Sequence, residues 1–235
     1  MHRIPFLVTL LLFLTTPLYA TVQDFSGPEA GTVIYGEIPG GGFATGTEFD
    51  DFTISGLNNG GGPESIIIFD SSSPTGGDPD LGTPNVTCGG PGIGTGGEVG
   101  QPGENCVARG NLLIVAEDIG DGNGDGLVDD PDDEAGGGVI RFDFDFTVDL
   151  DHIVIIDIDA ETLDFELNGP DGYVGAGSGS DLGDNSCQVI DLSDFENVTS
   201  LEVVFSSSGA IAELEYRESD TAIDDSSWDR VKVRF

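Results

Sequence analysis

The chain has 235 residues, of which 44 are acidic and 7 basic, giving a formal net charge of −37. A field of that sign and size repels nucleic acid and anionic membranes while concentrating divalent cations, so metal ions or basic partners are favoured and polyanions are excluded.

The first 20 residues put Arg3 before an apolar run from Ile4 to Leu14 and end in Leu18-Tyr19-Ala20, the pattern of a cleaved secretory signal. The run is short for a bilayer span, and no other stretch approaches one. The mature chain is expected to begin near Thr21 and to be secreted and extracellular. The leader holds one arginine and no acid, so its removal leaves a formal charge of −38. Lys232 is the single lysine, so self-repulsion should destabilise the fold unless cations or salt screen it. An acidic surface of this kind also suits a protein kept soluble in concentrated salt.

Roughly 215 mature residues suffice for one large β domain with its own core. Strand-like runs are expected at Thr32–Tyr35, Phe49–Ile54, Ser65–Phe69, Leu112–Ala116, Val139–Phe146, Ile153–Ile158, Leu163–Leu167, Cys187–Leu192, Leu201–Phe205 and Ala210–Tyr216. No amphipathic helix stands out. Many short strands between Gly, Pro, Asn and Asp turns imply an all-β fold, an antiparallel β-sandwich of jelly-roll type with long Gly/Pro/Asp-rich loops. The division is a signal at 1–20, an acidic sandwich domain at 21–217, and an acidic tail at 218–235. In that tail Val231, Val233 and Phe235 form a candidate closing strand. Alternation within strands, as in Ile140, Phe142, Phe144 and Phe146 against Arg141, Asp143, Asp145 and Thr147, places acid on an exposed sheet face. The same pattern expects Asp157, Asp159, Glu213 and Glu215 outside.

Between Ser71 and Gly110 runs a long Gly/Pro-rich segment, expected on the sandwich surface near the acidic loop that follows it. Cys88 and Cys106 within it are the favoured disulfide, leaving Cys187 free or paired between molecules. Asn85-Val86-Thr87 and Asn197-Val198-Thr199 match the N-glycosylation acceptor, which would make a eukaryotic product a glycoprotein.

The sharpest motif is D-G-N-G-D-G-L-V-D-D-P-D from Asp121 to Asp132. Asp121, Asn123, Asp125, Asp129 and Asp132 occupy positions 1, 3, 5, 9 and 12 of a calcium loop, Leu127 offers its carbonyl, and Gly126 takes the sharp turn. Ca²⁺ is a hard cation that wants several oxygens, and this spacing lets one segment wrap it. The flanking runs are β-branched and aromatic, so the loop should join strands rather than the helices of an EF-hand. Asp132 in place of the usual Glu has a shorter reach. The bland alternative is a solvated acidic turn.

Catalytic signals are weak. His152 is the one histidine of the mature chain, no nucleophile elbow accompanies it, and the glycine clusters at Gly40–Gly42 and Gly60–Gly62 lack a phosphate-loop lysine. The tight Cys/His spacing of a zinc site is absent.

The run Ile68-Phe69-Asp70-Ser71-Ser72-Ser73-Pro74-Thr75-Gly76-Gly77-Asp78-Pro79-Asp80-Leu81-Gly82-Thr83-Pro84 resembles the secreted acidic, Asp-rich skeletal matrix proteins of stony corals and related bacterial extracellular domains. Further resemblance lies in Gly110–Asp118, Pro131–Gly138 and Ile156–Asp159, in the same order along most of the mature chain. The resemblance implies a non-enzymatic, calcium-binding component of an organic matrix on which calcium carbonate is deposited, with matrix proteins or glycans as further partners. It adds Asp70, Asp78, Asp80, Glu117 and Asp118 as secondary calcium candidates. Dispersed acid rather than long Asp runs sets this chain apart. The alternative reading is a carbohydrate-binding or adhesive jelly-roll module with structural calcium, whose sugar-stacking candidates are Tyr35, Tyr173, Tyr216 and Trp228.

Overall fold

The computed structural model describes residues 19–159 and 162–219. Most of the expected leader, Trp228 and the candidate closing strand lie outside the described residues.

Where β-branched and aromatic residues alternate between turn-forming clusters, the chain extends. It forms β1 (Thr21–Gln23), β2 (Val33–Glu37), β3 (Phe43–Thr45), β4 (Phe52–Asn58), β5 (Ile66–Asp70) and β6 (Asn111–Val115). After the acidic loop come β7 (Gly138–Ile156), β8 (Leu163–Gly169), β9 (Gly172–Ser178), β10 (Cys187–Asp191), β11 (Val198–Phe205) and β12 (Ala210–Glu218). Every ladder between these strands is antiparallel. The only helical elements described are two single 3₁₀ turns, Pro79–Leu81 and Val86–Cys88.

The architecture is the expected antiparallel, jelly-roll-like sandwich, and the 19-residue β7 links its two layers. The N-terminal half of β7 pairs with β4 and β11, so that Phe142 faces Ile54 on one side and Leu201 on the other. Its C-terminal half pairs with β12 and β10, with Ile153 opposite Leu214 and Ile190. One layer therefore runs β4-β7-β11-β8-β9, and the other β3-β2-β5-β6-β12-β7-β10 with β1 against β12.

Two separate strands were expected at Val139–Phe146 and Ile153–Ile158, and they are one. Val148 and Leu150 continue the inward alternation through the intervening residues, while Asp149 is satisfied by Asn197 N–H, Ser219 and Arg217 rather than forming a turn. The strand stops before Asp157, whose φ of +64° lies in the left-handed region that Asp tolerates better than a β-branched residue. Strand β9 escaped the pattern because it is glycine-rich. Gly175 and Gly177 lie under the rings of Phe195 and Phe165, where a Cβ would collide.

Burial explains the continuous apolar runs. In β5, β6 and the end of β7 both faces are covered. Ile66, Ile68, Leu113, Val115, Ile153 and Ile155 enter the core between the layers. Their neighbours Ile67, Phe69, Leu112, Ile114, Val154 and Ile156 form a second core on the outer face. That outer core is roofed by the long segments themselves, through Leu81 and Val128, both buried. Burial of a Leu or Val side chain is worth about 1.5–3 kcal/mol. The 71–110 segment and the acidic loop are therefore held down as a lid over a sheet, which brings their carboxylates together.

Candidate metal centre

The acidic loop is closed at its neck by Asp129 N–H donating to Gly120 O at 2.9 Å and pinned by Val128 N–H donating to Gly31 O at 2.9 Å. Gly126 takes the expected left-handed turn, with φ +91°. Within the loop three of the candidate residues converge. Carboxylate oxygens of Asp121, Asp125 and Asp129 lie within 4.8 Å of one another. Their orientation is fixed by the backbone: Asp121 accepts from Gly124 N–H at 2.6 Å and Gly126 N–H at 2.9 Å, and Asp129 from Gly122 N–H at 2.6 Å. Asn123 donates its side-chain amide to Asp129 at 2.6 Å and accepts from Asp125 N–H at 2.8 Å. Leu127 N–H donates to Asp125 at 2.9 Å, completing the wrap.

Asp132 departs from the twelve-residue pattern. It leaves the group formed by Asp121, Asp125 and Asp129 and joins Asp78 and Asp133 in a second one. The cause is local: Pro131 is buried, its carbonyl accepts from Thr75 Oγ1 at 3.0 Å, and Asp130 accepts from Gly76 N–H at 2.8 Å, so the chain turns under the 71–110 segment. The loop and that segment thus adjoin, as expected, and Asp70 and Asp129 line a shared cleft of about 200 Å³.

The second group is half-buried at Asp78 and Asp132 and extends inward. Asp133 and Asp157 are 4 % and 2 % exposed. Asp133 accepts from Gly209 N–H and from Ser208 Oγ at 2.9 Å, and Asp157 from Asn185 N–H at 2.6 Å and Ser208 Oγ at 3.2 Å. A hydroxyl has one proton to give, so Ser208 satisfies one of these carboxylates at a time. Burial, reinforced by neighbouring carboxylates, pushes Asp78, Asp133 and Asp157 up to about 7 and Asp132 to about 8. A hydrogen bond shared with Asp184, then burial, raises Asp159 to about 6, and burial raises Asp80. Asp80 also has a buried Oδ1 with no hydrogen-bond partner among the described residues. Of the secondary candidates, Asp78 and Asp80 belong to this group, the exposed Glu117 and Asp118 add their charge beside Asp132, and Asp70 caps Ser72.

The roof is fastened by three buried asparagines. Asn185 donates to Asp80 O at 2.5 Å and Gly82 O at 2.7 Å, Asn85 donates to Asn185 Oδ1 at 2.7 Å, and Asn105 to Asn185 O at 3.2 Å. The Cys88–Cys106 bridge closes the same segment, and Cys187 is free. Asn85 is fully buried, so of the two sequons it is Asn197 that faces solvent.

The exposed lattice of strand-borne acid needs correcting. Asp157 is buried, because the strand ends before it and its left-handed turn points it beneath the roof. Glu213 and Glu215 are engaged by His152, and Asp143 by Arg141 at 2.7 Å. All three described arginines are paired: Arg109 with Glu213, Arg141 with Asp143 and Glu202, and Arg217 with Asp149. Among the sugar-stacking candidates, Tyr216 is buried, Tyr35 stacks edge-on against Phe43, and Tyr173 is 67 % exposed.

No protein-family model matches the chain, and neither does any curated protein. Among solved structures, an F5/8 type C domain of a Bacteroides fragilis protein is similar, with 12 % identity, 36 % of this chain and 68 % of that chain covered, and a TM-score of 0.27. No helix among the described residues is long and apolar enough to cross a membrane.

Proposed function

We propose that this is a secreted, non-enzymatic, acidic protein that binds Ca²⁺ in an extracellular or skeletal matrix, presenting ordered carboxylates to calcium or to a growing calcium carbonate surface. The observation that carries the reading is the convergence of Asp121, Asp125 and Asp129, held by backbone N–H groups of their own loop. Three carboxylates at such separation repel one another, and a hard dication relieves that repulsion while accepting their oxygens. The buried group around Asp132, Asp78 and Asp133 supports the same reading from a different direction. At neutral pH it must hold protons or a cation, and Ca²⁺ would displace the protons.

In this account the loop and the buried group hold calcium tightly and stabilise the roof, while the remaining surface carboxylates hold further ions loosely. The adhesive or carbohydrate-binding reading has less support, because Tyr173 alone of the described candidates is broadly exposed. Carbonate growth assays with and without the protein separate the two. Altered crystal habit or nucleation rate supports the matrix role, and glycan-array binding with no effect on mineral supports the adhesive one.

A further inference from the structure

A histidine and several carboxylates meet on the outer layer, where β7 runs between β12 and β10. In β7, His152 stands in register with Glu215 on β12 and with Asp191 on β10. Its Nδ1 lies 2.9 Å from Asp151 Oδ2 and 3.4 Å from Glu215 Oε2. Its Nε2 lies 2.9 Å from Glu213 Oε1, and the other oxygen of Glu213 is 3.4 Å from Arg109.

We propose that His152 Nδ1, Asp151 and Glu215 form a site for a zinc-class transition-metal dication, separate from the calcium loop. The donor atoms lie within 4.8 Å of one another, and the set is one imidazole nitrogen with two carboxylates. Mixed nitrogen and oxygen donors suit zinc and its neighbours, whereas calcium takes oxygen alone.

The second ring nitrogen points to a metal ligand independently of that cluster. A metal-binding histidine almost always gives its far N–H to a carboxylate, which fixes the tautomer and raises the basicity of the ligating nitrogen. Glu213 occupies that position and is itself held by Arg109, whose backbone N–H is tied to Thr83 Oγ1 at 2.8 Å. The Nε2–Glu213–Arg109 relay therefore leaves Nδ1 as the ligating atom. A metal at Nδ1 takes that nitrogen's lone pair, so a proton held there between Asp151 and Glu215 leaves to solvent on binding. The spacing is invisible in the linear sequence because the ligands come from two strands.

The test is a Zn²⁺ titration of the full chain with Ca²⁺ held at saturating, millimolar concentration, followed by calorimetry and by ¹⁵N NMR of the histidine ring. One equivalent of Zn²⁺ should bind, release a proton and move the His152 Nδ1 resonance. Glu213→Gln should weaken binding about 10–100-fold, the usual cost of losing an outer-shell partner, and His152→Gln should abolish it. Failure of Zn²⁺ to bind above the calcium-competed background would overturn the site. So would binding that leaves the wild-type ring nitrogens unmoved, a readout that needs no variant to fold. Neither result bears on the calcium loop.

Discussion

Carboxylate oxygens of Asp78 and Asp132 lie within 4.8 Å of each other where two long loops meet, and burial raises each group well above the ordinary carboxylate range. Two carboxylates that close repel each other unless one holds a proton or a cation sits between them. That pair joins the roof over the outer sheet face to the end of the acidic loop, and it makes the roof's stability depend on pH and on cations.

The pH dependence has a definite sign. Asp78, Asp133 and Asp157 are at about 7 and Asp132 at about 8 in the folded chain, against about 3.9 in an unfolded one. The folded state therefore binds more protons between these values, and stability is fully present below about pH 4 and lost as pH rises through 7 to 8. Thermal melts in chelator should fall steadily from pH 5 to pH 8.5. With millimolar Ca²⁺ the fall should flatten, because the ion replaces the protons, and the calcium effect should be largest at the alkaline end. His152 adds to the same slope. Burial opposes its charge, but hydrogen bonds that the ring donates to Asp151 and Glu213 outweigh burial and raise it, so its contribution also fades as pH rises.

Substitution at Asp133 separates its charge from its hydrogen bonds. Asp133→Ala leaves the buried Gly209 N–H without its acceptor and should cost about 1–3 kcal/mol in urea unfolding. Asp133→Asn keeps an acceptor oxygen and removes a buried charge, so in chelator at pH 8 it should be no less stable than wild type. If the two variants lose stability equally, repulsion within the group is not what limits the fold.

In the loop, Asp125→Asn keeps the oxygen that accepts from Leu127 N–H while removing one of the three converging charges. The variant should match wild type in chelator and lose the calcium-dependent rise in melting temperature. For wild type that rise corresponds to about 2.7 kcal/mol when free Ca²⁺ is ~100 times Kd. Equal melting shifts for both proteins would assign the stabilising calcium elsewhere.

Removing the bridge should act on the roof before the sandwich. Cys88 and Cys106 are 18 residues apart, and a loop of that length is worth about 3 kcal/mol on chain-entropy grounds. In Cys88→Ser with Cys106→Ser, amide exchange should rise first around residues 79–105, while β7 stays protected. Simultaneous loss of protection in β7 would mean that roof and sandwich unfold as one unit.

What the sequence made legible follows from range. Strands with period-two alternation, such as Ile140 to Phe144, declared both their existence and their inward face, and the acidic loop was readable because Asp121, Asp125 and Asp129 lie close together in the chain. The continuity of β7 was hidden by Asp149 and Asp151, which look like turn residues until Asn197, Ser219 and Arg217 are brought to Asp149. The inner acidic group was hidden for the same reason: Asp78, Asp133 and Asp157 come from three segments, and only the roof assembles them. The pairing of His152 with Glu213 spans 61 residues. Asp132 obeyed the motif's spacing yet left its ligand group, because the buried Pro131 next to it answers to packing.

The most direct test of the central claim is calorimetric titration of the mature chain with Ca²⁺ at physiological ionic strength, repeated with Mg²⁺ and with molar KCl as the only added cation. Saturable Ca²⁺ binding with proton release, weakened by Asp121→Asn and not reproduced by Mg²⁺ or KCl, is the predicted result. Uniform, weak and equal uptake of all three cations would contradict it.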